Sequence, residues 1–570
     1  MWQLDTLETV ETDVLVIGGG GAAARAALDA SESGASVCMV VKGRLGRSGS
    51  TVYPVALHGT FGAADGDDPQ DSPECHYRDI VTAAQGMCNP RLARIVAEES
   101  PLALKRLEEI GVPFLSGERG RHATWVGCFA TRARSHRIVG HGEPIMAALI
   151  ARIRQRPIRN EEKQLVAGLL LQDGKCIGAL AFSAEGRPRA YLAKATILAS
   201  GGAGQLFKAN LNPKGITGDG YVMAYRAGAE LVNMEFMQTG IAITHPLTLM
   251  SAWVWSHDPT LRNDAGEEFL GRYLPHGLDV RDVYRAKAGH FPFSSSDVSK
   301  YLEISVLQEM RQGRRVYFDL TKSDRLEEFR NTQMYPWMVQ RGLDLATQPA
   351  EISVYAQAVN GGVLIDEHAA STVPGLFAAG EVTGGAHGAD RLGGGMLSNC
   401  QVFGARAGRY AARYAAGTQR PVLRSEDLQR LQLPGANVGD ANAKEARQEQ
   451  RERIRTLMFD SLLIERNGAN LSGALAQVEA LAKERRGPAA SGWDEFEVSS
   501  LIEVGRLMLR SALLREESRG SHYRSDFSET DDRRWRHCIA LRQENGELKQ
   551  RFIRFEEDAA IGSGATGVSA

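Results

Sequence analysis

Two glycine-rich segments of this chain, far apart in sequence, have the residue pattern of loops that open helices. The first is Gly18-Gly19-Gly20-Gly21-Ala22-Ala23, and the second runs from Gly380 to Gly408 as GEVTGGAHGADRLGGGMLSNCQVFGARAG. Backbone N–H groups at a helix start lack intrahelical partners and carry the positive end of the helix dipole, so they attract anions. One such loop cradles one diphosphate, and a second implies the far end of a long cofactor. A reduced flavin is negative near N1 and O2, and Met396 and Leu397 lie where the second helix would begin. The pair of loops points to FAD.

The elements around the first loop agree. Asp13 to Ile17 is a short apolar run of strand type, Ala24 to Ser31 is alanine-rich and helical, and Ala35 to Val41 is a second apolar run. Strand, glycine loop, helix and strand form the dinucleotide-binding βαβ unit. Gly18 allows the tight turn, Gly20 lets the backbone approach a pyrophosphate, and Ala23 replaces the third glycine. The acidic ribose ligand usual at the end of the second strand is missing; Val41 and Lys42 stand there.

Composition narrows the class. With 570 residues the chain is long enough for several domains. Its net charge of −2 gives no electrostatic grip on nucleic acid or an anionic membrane. There is no apolar run of about 18 residues, and the opening segment MWQLDTLETVETD has no signal-peptide core. The seven cysteines include no CxxC pair, so they read as scattered reduced thiols of a cytoplasmic protein, with no metal site or iron–sulfur cluster on this chain.

Further along, Asn89 to Ile110 has helical period, and Pro144 suits the first turn of a helix through Ile153. Leu165 to Leu171 and Cys176 to Phe182 flank Asp173-Gly174, a hairpin turn signal. Tyr191 to Ala199 is a strand ending in Ser200-Gly201-Gly202. From about 235 to 350 the pattern turns mixed and aromatic, as in an inserted domain. Val363 to Asp366 and Gly375 to Ala379 return to strand character, and from 424 onward the chain is charged and helical, as in Ala443 to Met458 and Leu471 to Arg486.

These segments resemble the flavoprotein subunits of succinate dehydrogenase and fumarate reductase, a family that includes L-aspartate oxidase and adenylylsulfate reductase. The likeness rests on VIGGGGAAARAAL, ASGGAGQLFKANLNPKGITGDGYVMAYRAGAELVNMEFMQ, NGGVLIDEH, VPGLFAAGEV, HGADRLGGGML and SRGSHYRSDFSETDDRRWRH, and covers nearly the whole chain. It implies an α/β fold: an FAD-binding Rossmann-like domain (1–234 and 351–423), an inserted α+β capping domain (235–350) and a C-terminal helical domain (424–570).

The resemblance also implies cofactor contacts. Gly18, Gly20, Gly21, Ala22 and Ala23 would hold the pyrophosphate, Lys42 and Gly43 would border the adenosine end, and Asp219 would reach a ribose. Gly201 and Gly202 follow the strand that ends beside the cofactor, Glu381 would bond ribityl or ribose hydroxyls, and Met396 and Leu397 would present N–H groups to the flavin. In covalent members a flavin-linking histidine stands in the segment here read as Ser48-Gly49-Ser50-Thr51; the aligned residue is Ser50, so the FAD is expected to be noncovalent.

At the substrate site the chain departs from its relatives. Dicarboxylate users carry an arginine in an RGEGG segment, matched here by Trp253 to Pro259, with no arginine between Arg226 and Arg262. The histidine of QFHPTG is replaced at Gly240, leaving His245 as the nearest candidate, and that of HYMMGG becomes Gln357. Only the arginine of NRLGG survives, as Arg391. Trp253 and Trp255 suggest a larger, more apolar pocket, or else packing of the cap core. His245, His257 and His387 are candidate acid–base groups, since imidazole titrates near neutrality. Arg132, Arg134, His136 and Arg137 form a basic cluster facing either solvent or an anionic substrate tail, while His522 and Arg524 read as bridges between domains.

The resulting expectation is an FAD-dependent oxidoreductase, with hydride transfer at flavin N5 on a small organic or sulfur compound other than fumarate or succinate. Arg391, His245, His257, Gln357 and Trp255 would line the reaction site, and electrons would pass to a separate iron–sulfur, ferredoxin-like or quinone-linked partner. The expected location is cytoplasmic, at the inner face of the membrane through that partner. The alternatives are an oxidase using oxygen, as L-aspartate oxidase does, and an electron-transfer or assembly component without its own turnover.

Overall fold

A computed structural model describes residues 7–53, 59–66, 68–117, 120–332, 334–431, 441–484, 492–555 and 566–568. Its central sheet has a parallel core made of Ile158–Glu162, Val37–Val41, Glu8–Ile17, Pro188–Leu198 and Leu376–Ala378. Val14 to Ile17 and Val37 to Val41 are continuously apolar and buried, as strands covered on both faces must be. The antiparallel hairpin Gln164–Gln172/Lys175–Ser183 extends this sheet through Pro188–Leu198. Its turn is at Asp173 (φ 50°) and Gly174 (φ 76°), the paired positive dihedrals that a two-residue hairpin demands.

Helix Gly21–Glu32 packs along helix Gly395–Ala416, and small residues make that approach possible. A Cβ on Gly404 would lie 2.9 Å from the Ala22 carbonyl oxygen, and one on Gly408 would collide with that of Ala26. The two glycine-opened helices are therefore in backbone contact.

An antiparallel sheet runs in the order Thr248–Leu249, Met237–Ile243, Ala350–Val359, Val316–Asp319 and Thr260–Asn263. Aromatic rings pack beside it: Trp255 stacks on Tyr284 (5.9 Å) and meets Phe318 edge-on (5.2 Å), while Trp253 stacks on Phe329 (5.7 Å). A smaller sheet of Thr60–Gly62, Ala133–Arg137 and Thr124–Val126 stands beside the second glycine loop.

The expected C-terminal helices are Ala441–Leu462 and Gly468–Glu484, joined by Trp493–Leu514. Of the span read as helical to Arg486, Arg485 and Arg486 lie outside the described residues. The chain then adds the hairpin of strands Cys538–Glu544 and Glu547–Arg554, the first of which pairs with Leu231–Val232. Their turn, Asn545 (φ 51°) and Gly546 (φ 82°), is an Asn-Gly hairpin set in a region whose charged composition suggests helix alone.

Buried charges join these parts. Arg515 donates to Glu235 (2.8 Å) and to Glu517 (2.9 Å), and Arg519 donates to Glu517 (2.8 Å). Arg515, Glu235 and Glu517 are wholly buried. Arg515→Met should leave both carboxylates without this counter-ion and destabilise the protein by about 3–5 kcal/mol. A lowered urea midpoint in chemical denaturation is the expected result.

Candidate functional site

The two glycine loops open into one cavity of about 900 Å³. Gly18, Gly20, Gly21 and Ala22 line one part of it, and Gly393, Gly394, Met396 and Leu397 another. Gly18 has φ 135°, and a Cβ there would collide with the Ala199 carbonyl, so the turn admits no side chain. The Gly21 N–H donates to Thr51 Oγ1 (3.1 Å), which fixes the Ser48-to-Thr51 segment against the loop. Ser50 in that segment lines the cavity and donates to Asn212 Oδ1 (3.1 Å). Lys42, Gly43, Thr51, Gly201, Asp219 and Glu381 line the same cavity.

Two expected cofactor residues stand behind the wall. Ala23 is fully buried inside the first helix, and among the described residues neither it nor Gly202 reaches the cavity. A Cβ on Gly202 would collide with the Glu381 carboxylate, so this glycine acts by making room for Glu381.

Lys42 occupies the place where an acidic ribose ligand was missing, and its charge is already met. Its Nζ pairs with Asp219 (2.7 Å) and Glu497 (2.7 Å) and donates to Thr217 (2.9 Å). Glu497 and Trp493 belong to helix Trp493–Leu514 and line the cavity; no motif near them marks them as site residues. Glu381 accepts from the Val359 N–H (3.2 Å), and burial pushes its carboxyl up to about 7 against the pull of that bond and of Arg391.

Arg391 lines the cavity while 9% exposed. Its Nε donates to Gln238 Oε1 (2.8 Å) and its Nη1 to the Leu392 carbonyl (3.0 Å), while Gln238 Nε2 donates to the Arg391 carbonyl (3.2 Å). Asp390 turns instead to Ser294 (2.7 Å) and Gln85 (3.1 Å), and Arg391 makes no ion pair among the described residues. Gln357 also lines the cavity, and its buried Oε1 has no hydrogen-bond partner among the described residues.

Three expected catalytic residues lie elsewhere. Trp255 is 1% exposed and packed between Tyr284 and Phe318, so this tryptophan is part of the hydrophobic core. His257 is buried against Trp253 and Phe329, its Nδ1 within 3.2 Å of the Trp253 carbonyl. His245 is exposed in the turn after Met237–Ile243 and does not line the cavity. Trp253 does line it, together with Phe291 and Trp337. Phe291 lies in no motif; its ring occupies the space in front of Gly240, where a Cβ would collide with it.

The basic cluster divides. Arg134 is buried between Asp71 (2.7 Å) and Asp79 (2.5 Å), Arg132 bonds Gln70 (2.7 Å), and His136 is buried beside His122. Of the cluster, only Arg137 lines the cavity. Burial, reinforced by Arg391, pushes His387 down to about 3, so its imidazole is neutral. His522 is buried against Arg466 and Arg515, part of the charged framework rather than the cavity.

A cavity of about 900 Å³ lined by two glycine loops, each at a helix start, fits a dinucleotide-sized cofactor whose anionic parts meet backbone N–H groups. The family model described as "FAD binding domain" matches residues 13–397, and that described as "Fumarate reductase flavoprotein C-term" matches residues 451–558. The chain is 31% identical over 572 residues to L-aspartate oxidase of Streptomyces coelicolor, covering 94% of this chain and 92% of that one. It is 28% identical over 606 residues to the fumarate reductase flavoprotein subunit of Mycobacterium tuberculosis, covering 96% and 97%. Among solved structures, Mycobacterium smegmatis Sdh1 in complex with UQ1 superposes with a TM-score of 0.80 at 28% identity, covering 97% and 95%. The cofactor is FAD.

Glu381 gives the cavity a pH dependence. A carboxyl raised to about 7 in the fold contributes stability below the ordinary carboxylate range and loses it as pH rises through 7. FAD-free wild-type protein should therefore lose stability relative to Glu381→Gln between about pH 5 and pH 8. Melting temperatures measured in parallel across that range check this, and a constant difference between the two proteins would contradict it.

Proposed function

We propose a function for this chain from the family to which it belongs, the FAD-dependent oxidoreductases of the fumarate reductase and L-aspartate oxidase type: oxidation or reduction of a small organic or sulfur compound other than fumarate or succinate. The observation that carries the reading is Arg391, a buried guanidinium without an ion pair among the described residues, in the cavity shared by both glycine loops. Bound FAD supplies a two-electron carrier that gives or takes hydride at N5.

The chain's own residues would do the rest. Gly18, Gly20, Gly21 and Ala22 would hold the pyrophosphate, Lys42 and Asp219 would border the adenosine end, and Met396 and Leu397 would turn helix-start N–H groups to the flavin. Glu381 would bond cofactor hydroxyls. Arg391 would anchor a carboxylate, sulfonate or carbonyl oxygen, for which a planar, permanently charged fork is better suited than for carrying protons. Gln238 holds that fork from behind, and the aromatic wall of Trp253, Phe291 and Trp337 would exclude water. Residues 1–234 and 351–423 would act as the FAD-binding domain, 235–350 as the cap and 424–570 as the C-terminal domain.

Ser50 stands where covalent members have the linking histidine, and a serine hydroxyl bonded to Asn212 supports noncovalent FAD. Electrons would pass to a separate iron–sulfur or ferredoxin-like protein. The Mycobacterium tuberculosis relative, named as one subunit of a fumarate reductase, supports such a partner. Among the described residues no helix is long and apolar enough to cross a membrane, so a place at the cytoplasmic face would depend on that partner.

Acid precipitation should release intact FAD and leave a colourless pellet; flavin fluorescence remaining on the denatured polypeptide would disprove noncovalent binding. Fumarate reduction and succinate oxidation should run below about 1 per second, the lower end of ordinary enzyme turnover. Arg391→Gln should keep its FAD yet lose about tenfold or more in kcat/KM on the true substrate, the size of a lost charge-assisted hydrogen bond. Loss of FAD in this variant would make Arg391 structural, and rapid reoxidation of the reduced wild type by oxygen alone would favour an oxidase.

A further inference from the structure

The cavity that Arg391 lines has apolar walls as well as its charge. Trp253, Phe291, Pro292 and Trp337 line the same cavity, and Trp125, 42% exposed, carries the apolar lining to the surface. Phe291 is held in place: its N–H donates to Cys128 Sγ (3.1 Å), and Gly240 leaves its ring the space that any side chain would take. Trp253 is held by its stack on Phe329. These rings form a fixed apolar surface.

The cations of the cavity are unequal. Lys42 is neutralised by Asp219 and Glu497. Arg137 is half-buried on strand Ala133–Arg137. Arg391 is fixed by Gln238 and the Leu392 carbonyl through Nε and Nη1, which leaves the donors of Nη2 for a ligand. An anionic head on Arg391 would gain a charge-assisted bond in a sheltered place. A second carboxylate resting on Phe291 or Trp253 would lose its hydration against a hydrocarbon ring, and the buried ammonium that donates to the neighbouring Pro292 carbonyl (3.3 Å), Lys287, is already paired with Glu303. A flat apolar group there would instead stack or pack edge-on.

We propose that the substrate of this site carries a single carboxylate-type head, gripped by Arg391, on a planar apolar body that lies against Phe291 and Trp253. The inference rests on the reading of Arg391 as substrate anchor and adds the charge count and shape of what it anchors. Phe291, with the space that Gly240 gives it, is then the residue that sets specificity.

Calorimetric titration of the FAD-loaded, full-length protein tests this without needing turnover. The probes are cinnamate, fumarate and the uncharged cinnamamide. Cinnamate should bind at least tenfold more tightly than either of the others. Phe291→Ala and Arg391→Gln, each checked for retained FAD absorbance, should both weaken cinnamate at least tenfold. Fumarate binding as tightly as cinnamate would overturn the proposal, as would a loss of cinnamate in Arg137→Gln equal to that in Arg391→Gln, which would spread the grip on the carboxylate over both cations. The two levels of the argument separate cleanly. If Arg391→Gln loses cinnamate and Phe291→Ala does not, the apolar-body inference fails alone; if Arg391→Gln binds cinnamate like wild type, the anchor reading fails with it.

Discussion

The architecture depends on the backbone contact between helices Gly21–Glu32 and Gly395–Ala416. Gly404 and Gly408 face the carbonyls of Ala22 and Ala26 so closely that a methyl group at either position would force the helices apart. Each helix begins at a glycine loop, so their contact sets how two groups of outward-facing N–H donors are spaced along one cavity. An alanine-rich first helix and a glycine-bearing second one are thus geometric requirements of the cofactor site, beyond any preference for helix formation.

Charge inside the cavity follows a simple division. Where the cofactor's adenosine end is expected, Lys42 is balanced by two carboxylates from distant parts of the chain. Around Arg391 the nearest acid in sequence, Asp390, is turned away and bonded to Ser294 and Gln85. A residue and its neighbour therefore face different environments, one a closed hydrogen-bonded pocket and the other the cavity. That separation leaves Arg391 as a fixed positive feature.

Most of the fold was legible because its signals are local. Asp13 to Val41 declared a strand, loop, helix and strand by apolar runs and glycines, and Asp173-Gly174 declared its hairpin by the only dihedrals that turn allows. The Asn545-Gly546 hairpin carried the same signal, but the charged helical character of the C-terminal region masked it. The site was legible only where a motif carried it. Arg391 and Gln357 sit in motifs and line the cavity; His245, His257 and Trp255 were candidates for their side-chain chemistry, and packing against Tyr284, Phe318 and Phe329 decided otherwise for two of them. Phe291 and Glu497 had no local signal, since each reaches the cavity through a tertiary contact with a residue remote in sequence.

The reach of Glu497 to Lys42 has a bearing on the order of events during synthesis. Both glycine loops and Arg391 have been made by the time the chain has grown past residue 408, yet one wall of the cavity comes from helix Trp493–Leu514, and strand Leu231–Val232, already paired with Gly362–Leu364, gains its other neighbour only with Cys538–Glu544. A chain at that earlier stage has both glycine loops but lacks the wall that Trp493 and Glu497 supply. Closure of the cavity wall is thereby coupled to the docking of helix Trp493–Leu514, which follows both glycine loops in the chain.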